Sequence, residues 1–236
     1  MRFATTRWSV DLAAGRRSSA EAEEALARLC SDYWYPIFAF IRRRGYPVDQ
    51  AEDLTQAFFT HVIENRVVSA ADPDRGRFRT FLLTGCSNFL NNERDRTIAA
   101  KRGGGRIPLS IDIAAAEVRY QRAFAHDDTP ERLYERQWCL TLLARVVDDL
   151  REEYVSGEKE RLFDRLRCFL TLSGEAGSHA QAAHDLDMSI AAVKVAVHRL
   201  RQRYREALRK HITATVASPE EIDEERRYLL NVLRGL

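Results

Sequence analysis

The densest chemistry in this chain of 236 residues is a run of cations at helical spacing. Within residues 189–209 (SIAAVKVAVHRLRQRYREALR), Lys194, Arg199, Arg201, Arg203, Arg205 and Arg209 stand against one acid, Glu206. Val193, Val197, Leu200 and Tyr204 recur at spacings of four, three and four, so they share one helix face and leave the others to the cations. Ser189 stands at the N-cap position, where its hydroxyl can accept an orphan backbone N–H. Just upstream, residues 179–186 (HAQAAHDL) read as a short helix of small residues, with Asp187-Met188 as the turn between the two. A short helix, a tight turn and a longer basic helix form a helix-turn-helix pattern, whose second helix enters the DNA major groove. A basic helix alone reads as a solvated face. The capped turn and the one-sided charge favour DNA.

Other chemistries are poorly supported. Glu52 and Asp53 are adjacent, so on a helix they point about 100° apart and do not share a metal without further ligands. His179 and His184 are badly spaced for one ion, and no Cys/His cluster completes them. Gly103, Gly104 and Gly105 lack the G-K-[ST] ending of a phosphate-binding loop. No nucleophile motif is present, so neither an enzyme nor a cofactor or metal requirement is expected. Cys30, Cys86, Cys139 and Cys168 form no C-x-x-C pair and lie in apolar helical patterns, the usage expected of reduced packing residues in the cytoplasm. A net charge of only +2 excludes a polycation, so the local sorting of charge carries the signal. No apolar run follows Met1-Arg2 and none reaches membrane-span length, which predicts neither a signal peptide nor a membrane span.

The elements that must position these residues are all helical. Residues 22–29 form an Ala/Glu/Leu helix, and Trp34, Ile37, Phe38 and Ile41 mark the next, closed by Gly45 at a C-cap. Asp49 opens a third helix, with Glu52 at capping-box spacing and Leu54, Phe58 and Val62 on its apolar face. After a turn-rich loop at 69–76, Phe78, Phe81, Leu82, Gly85, Cys86, Phe89 and Leu90 pattern a fourth helix. The segment KRGGGRIP at 101–108 breaks the pattern and opens a linker, which ends at the cap-plus-proline start Thr129-Pro130. Trp138, Leu142, Val146 and Leu150 then share a helix face, and Leu162, Phe163, Leu166, Phe169 and Leu170 mark another helix. The expected fold is all-α: a helical domain at 18–100, a flexible linker at 101–130, a helical domain with the helix-turn-helix at 131–210, and an acidic helical extension at 211–236.

Two motifs in the first domain now resemble one family. Residues 51–59, AEDLTQAFF, are similar to the A-E-D-L-x-Q-x-x-F signature of bacterial RNA polymerase sigma factors of the extracytoplasmic-function (ECF) group. Residues 78–83, FRTFLL, followed by Asn88-Phe89-Leu90, resemble that family's next helix, and the helix-turn-helix lies where its fourth region does. The resemblance covers about 20–100 and 135–210, in order. It implies a cytoplasmic transcription initiation factor with core RNA polymerase and promoter DNA as partners. Glu52, Asp53 and Gln56 would meet a basic coiled coil of the polymerase, where electrostatics favours association and orientation. Arg75, Arg77, Arg79, Thr80, Asn88, Asn92, Arg94 and Arg96 would contact the downstream promoter element as single strand. Ser189, Lys194, His198, Arg199 and Arg201 would meet the upstream element as duplex, reading base edges or clamping phosphates.

Two departures from the family carry meaning. Ala196 stands where many relatives carry a basic residue, which implies a different base preference. Ala57 stands where relatives commonly place an acid, while Thr55 lies two residues from Asp53. Some members with D-L-T-Q followed by two phenylalanines look to be switched on by Ser/Thr kinases, which makes Thr55 the expected phosphorylation site. A phosphate there would add about −1.5 to −2 charges toward a basic partner. Competing readings are a helix-turn-helix regulator that does not dock polymerase, and an adaptor or anti-sigma protein, which would not need the basic helix. The extension, with Glu220, Glu221, Asp223, Glu224 and Glu225 ahead of Leu229, Leu230 and Leu233, would either mask the basic helix or pack as a terminal helix.

Overall fold

The computed structural model describes residues 19–64, 77–99, 112–123, 128–170, 178–216 and 218–235. Every regular element among them is helical: α1 (Ser19–Arg43), α2 (Val48–Glu64), α3 (Phe78–Ala99), α4 (Ile113–Ala123), α5 (Pro130–Ser156), α6 (Glu160–Leu166), α7 (His179–Leu186), α8 (Ile190–Thr213) and α9 (Ile222–Arg234). Single 3₁₀ turns follow α6 at Arg167–Leu170 and precede α9 at Pro219–Glu221. No described helix is long and apolar enough to cross a membrane.

The described residues form two compact units. The first takes in α1 to α4, α5 as far as Thr141, and the residues from Thr213 onward; the second is Leu142–Ile212. Residues 131–141 and the C-terminal helix therefore group with the first unit, not where the sequence pattern put them. The predicted glycine-rich breaker at 101–108 lies outside the described residues. Inside the expected linker, α4 packs as a helix: Ala116 and Tyr120 are buried, and Glu117 accepts from Arg42 Nε at 3.0 Å and Nη2 at 2.8 Å.

In the first unit α1 is one helix, not two. Leu29, Cys30, Tyr33, Trp34, Ile37, Phe38, Phe40 and Ile41 are all buried, so the apolar stripe runs unbroken through the point where a break was expected. Each such side chain contributes about 1.5–3 kcal/mol on burial, which outweighs the weak local propensities of Ser31 and Asp32. Gly45 closes the helix at φ +94°, as its C-cap placement predicts. The start of α2 falls at Val48, so Asp49 sits inside the first turn. Tyr33 stacks on Trp138 with ring centroids 6.5 Å apart, and Phe40 meets Tyr134 edge-on at 6.4 Å, fixing the start of α5 on α1.

The second unit closes around Val146, Leu150, Phe163, Leu166, Phe169, Val193, Val197 and Leu200. Every cysteine is a free thiol: Cys30, Cys86 and Cys139 are buried and Cys168 half-buried. Burial pushes the Cys86 and Cys139 thiols up to about 12, so they pack as neutral groups.

Candidate nucleic-acid interface

Local hydrogen bonding builds the basic surface of the second unit. Ser178 Oγ accepts from the Ala180 N–H at 3.2 Å and starts α7. The chain leaves α7 through Asp187, whose φ of 54° lets the Met188 N–H return to the Ala183 carbonyl at 3.0 Å. Ser189 then caps α8, its Oγ accepting from the Ala192 N–H at 3.1 Å. Three residues, Asp187, Met188 and Ser189, thus connect the two helices. Val193, Val197 and Leu200 are buried. Ser189, Lys194, His198 and Arg199 are exposed, with Ile190 and Val195 beside them at 48% and 50% exposure.

Further along α8 several basic residues have partners within the second unit. Arg201 donates from both Nε and Nη2 to the Phe169 carbonyl, each at 3.1 Å, tying α8 to the 3₁₀ turn. Arg203 pairs with Glu153, and His211 Nε2 lies 2.8 Å from Asp149. In the first half of α8, Lys194 and Arg199 remain exposed to solvent. Arg201, expected among the DNA contacts, already serves the fold.

The start of α3 looks different. Arg75 lies outside the described residues, as does the side chain of Arg96. Thr80, Asn88, Asn92 and Arg94 are exposed. Arg79 is buried at 4% exposure and pairs with Glu225 of α9, which is entirely buried. Arg79 Nη2 reaches the second carboxylate oxygen at 3.3 Å, and Arg77 also pairs with Glu225. The Arg79 guanidinium lies 4.5 Å from the Trp138 ring centroid and 4.7 Å from that of Tyr228, with Arg77 5.3 Å from Tyr228. Tyr134 donates to the Arg79 carbonyl at 2.9 Å. Burial works to lower the Arg79 pKa, but the Glu225 carboxylate overcomes it and the net displacement is upward.

The α2 surface offers Glu52, Asp53 and Gln56, all half-buried, with Gln56 Nε2 donating to Glu52 Oε1 at 3.1 Å. Glu52 is thus held along the helix by Gln56. Ala57 is exposed. Thr55 faces inward with no exposure, and its hydroxyl donates to the Ala51 carbonyl at 2.6 Å. A phosphate does not fit there while α2 stays packed.

Sequence reasoning placed Trp138 on a helix face without its contact to Arg79, and missed Tyr228 and the pairing role of Glu225. The signal was present: Ile222, Glu225 and Leu229 share the buried face of α9, at spacings of three and four. Their partner arginines lie 146 residues away, in the case of Arg79, and spacing cannot pair them. No group of three His, Cys, Asp or Glu side chains among the described residues could hold a metal ion. No family model, curated protein or solved structure matches this chain.

Proposed function

We propose that this chain is a transcription initiation factor that binds core RNA polymerase and directs it to promoters, with α7 and α8 as a helix-turn-helix for the upstream element. One observation carries most weight. The capped first half of α8 presents Lys194, His198 and Arg199 to solvent, while its apolar face is held in the core of the second unit. A rigid helix with cations on its free face fits a major groove, where Arg or Lys reads guanine edges or clamps phosphate. The polar strip Glu52, Asp53 and Gln56 on α2 supports docking to a basic polymerase surface, and its residues carry the ECF resemblance.

Regulation through Thr55 takes a particular form in this reading. Its hydroxyl is sealed against Ala51, so a kinase reaches it only after the first half of α2 leaves the core. Phosphorylation would then act as a remodelling step, holding α2 in a second arrangement. A helix-turn-helix regulator without polymerase docking is the second reading. It is favoured by the engagement of Arg77 and Arg79 inside the fold, which removes two expected promoter contacts. Gel filtration with core polymerase separates the two: co-elution that Glu52→Lys weakens supports the initiation factor, and separate elution in both phosphorylated and unmodified forms supports the regulator.

A further inference from the structure

The pairing of α9 with α3 has an unusual make-up. Ile222, Glu225 and Leu229 form the buried face of α9, so an acid holds the central position of a stripe where a leucine would pack without desolvation cost. Two arginines from the start of α3 converge on that one carboxylate. Trp138 and Tyr228 lie over the Arg79 guanidinium. The arginines also stand at a helix N-terminus, where the dipole adds to their attraction for an anion. Arg79 Nε, although buried, has no hydrogen-bond acceptor among the described residues, so Glu225 leaves a donor of the site unused.

We propose that Arg77, Arg79 and Trp138 form an anion site for a backbone phosphate of single-stranded DNA, which Glu225 fills in this structure, so that α9 and the strand compete for it. The proposal rests on the reading of the α3 start as the downstream-element surface, and it adds the regulation of that surface. A backbone phosphodiester carries one charge over two free oxygens, as a carboxylate does, but in a tetrahedral arrangement, and it suits the planar donors of arginine. The Trp138 ring, stacked on Tyr33, lies against the Arg79 guanidinium and holds it in place for the anion. Arg77, with its side chain still 24% exposed, is where an approaching strand makes first contact.

The test uses the full chain and a fluorescein-labelled single-stranded oligodeoxynucleotide at low salt. Glu225→Gln keeps the shape of the side chain and removes its charge, and should bind the strand about tenfold more tightly than wild type, the change expected for about 1.4 kcal/mol. Adding Arg77→Ala to that variant should cancel the gain. Leu229→Ala, which loosens α9 without touching a charge, should also raise affinity. Hydrogen exchange on the wild-type protein gives a variant-free readout: residues 222–234 should lose protection when the strand is added. A cooperatively folded Glu225→Gln that binds no more tightly than wild type overturns the proposal. So does binding of the strand, or the absence of binding at any concentration, with α9 protection unchanged. Polymerase association and transcription by wild type with α9 still protected would retain the initiation-factor reading and discard only the competition.

Discussion

Two helices of this chain carry basic residues in their first half, and they treat them in opposite ways. In the first half of α8, Lys194 and Arg199 are exposed, and buried Val193, Val197 and Leu200 hold the helix in place. At the start of α3, Arg79 is buried and Arg77 half-buried, and both are bound to one carboxylate from the far end of the chain. The first arrangement leaves cations available at no cost to the fold. The second makes the fold depend on the cations. A basic residue in a motif is therefore a contact candidate only once its own neighbours are known, and Arg201, bonded to the Phe169 carbonyl, makes the same point within α8 itself.

The largest effect that would break this contrast is at Glu225. Glu225→Ala leaves Arg79 buried without its counter-charge and should destabilise the first unit by about 3–5 kcal/mol in urea unfolding. Replacing both partners, as in Arg79→Met with Glu225→Leu, should recover most of that loss, because two apolar side chains need no desolvation. A double variant as unstable as the single one would mean that Arg79 matters through its aromatic contacts instead.

Thr55 comes next. Thr55→Glu introduces a charge where the wild-type hydroxyl is sealed, and should cost about 3 kcal/mol or more. Thr55→Val loses only a bond to the preceding turn of its own helix and should stay within about 1 kcal/mol. Chemical denaturation of the two variants checks this. A fully stable Thr55→Glu would place the side chain outside the core and make it a surface acceptor.

On α8 the contrast predicts a split. Lys194→Ala and Arg199→Ala should leave stability unchanged and weaken duplex binding by about 1–3 kcal/mol for a bidentate base contact. Arg201→Ala should instead lower stability by about 1 kcal/mol through the lost bonds to Phe169. Fluorescence anisotropy and thermal melts on the same samples separate the two classes.

The smallest effect is a pH dependence in the first unit. Hydrogen bonding from Arg42 holds the Glu117 carboxyl below its ordinary 4.5, helped by Gln121. A depressed pKa contributes stability that is present above the unfolded value and is lost as pH falls through the folded one. Docking of α4 should therefore weaken only below about pH 4.5, the ordinary value for this carboxyl. Glu117→Gln should flatten that dependence in hydrogen exchange of 113–123.

Much of the second unit is legible in the sequence because its signals are local. The spacing of Val193, Val197 and Leu200 and the cap at Ser189 act within a few residues. Thr55 was also open to reading. It lies four residues from Ala51 and three from Phe58, both buried, but the stripe drawn through Leu54, Phe58 and Val62 passed one position to its side. The joining of two helices into α1 was hidden by Ser31 and Asp32, polar residues that the buried stripe around them overrides. The Glu225 contact was illegible for a different reason. An acid among acids reads as solvated, and only the fold brings Arg77 and Arg79 to it.

The most direct test of the initiation-factor reading is run-off transcription with core polymerase on promoter fragments, comparing wild type with the Lys194→Ala, Arg199→Ala double variant. The reading predicts a transcript whose start site depends on this chain and which the double variant loses while still co-eluting with polymerase. Tight duplex binding by wild type with no polymerase association and no transcript, phosphorylated or not, would contradict it.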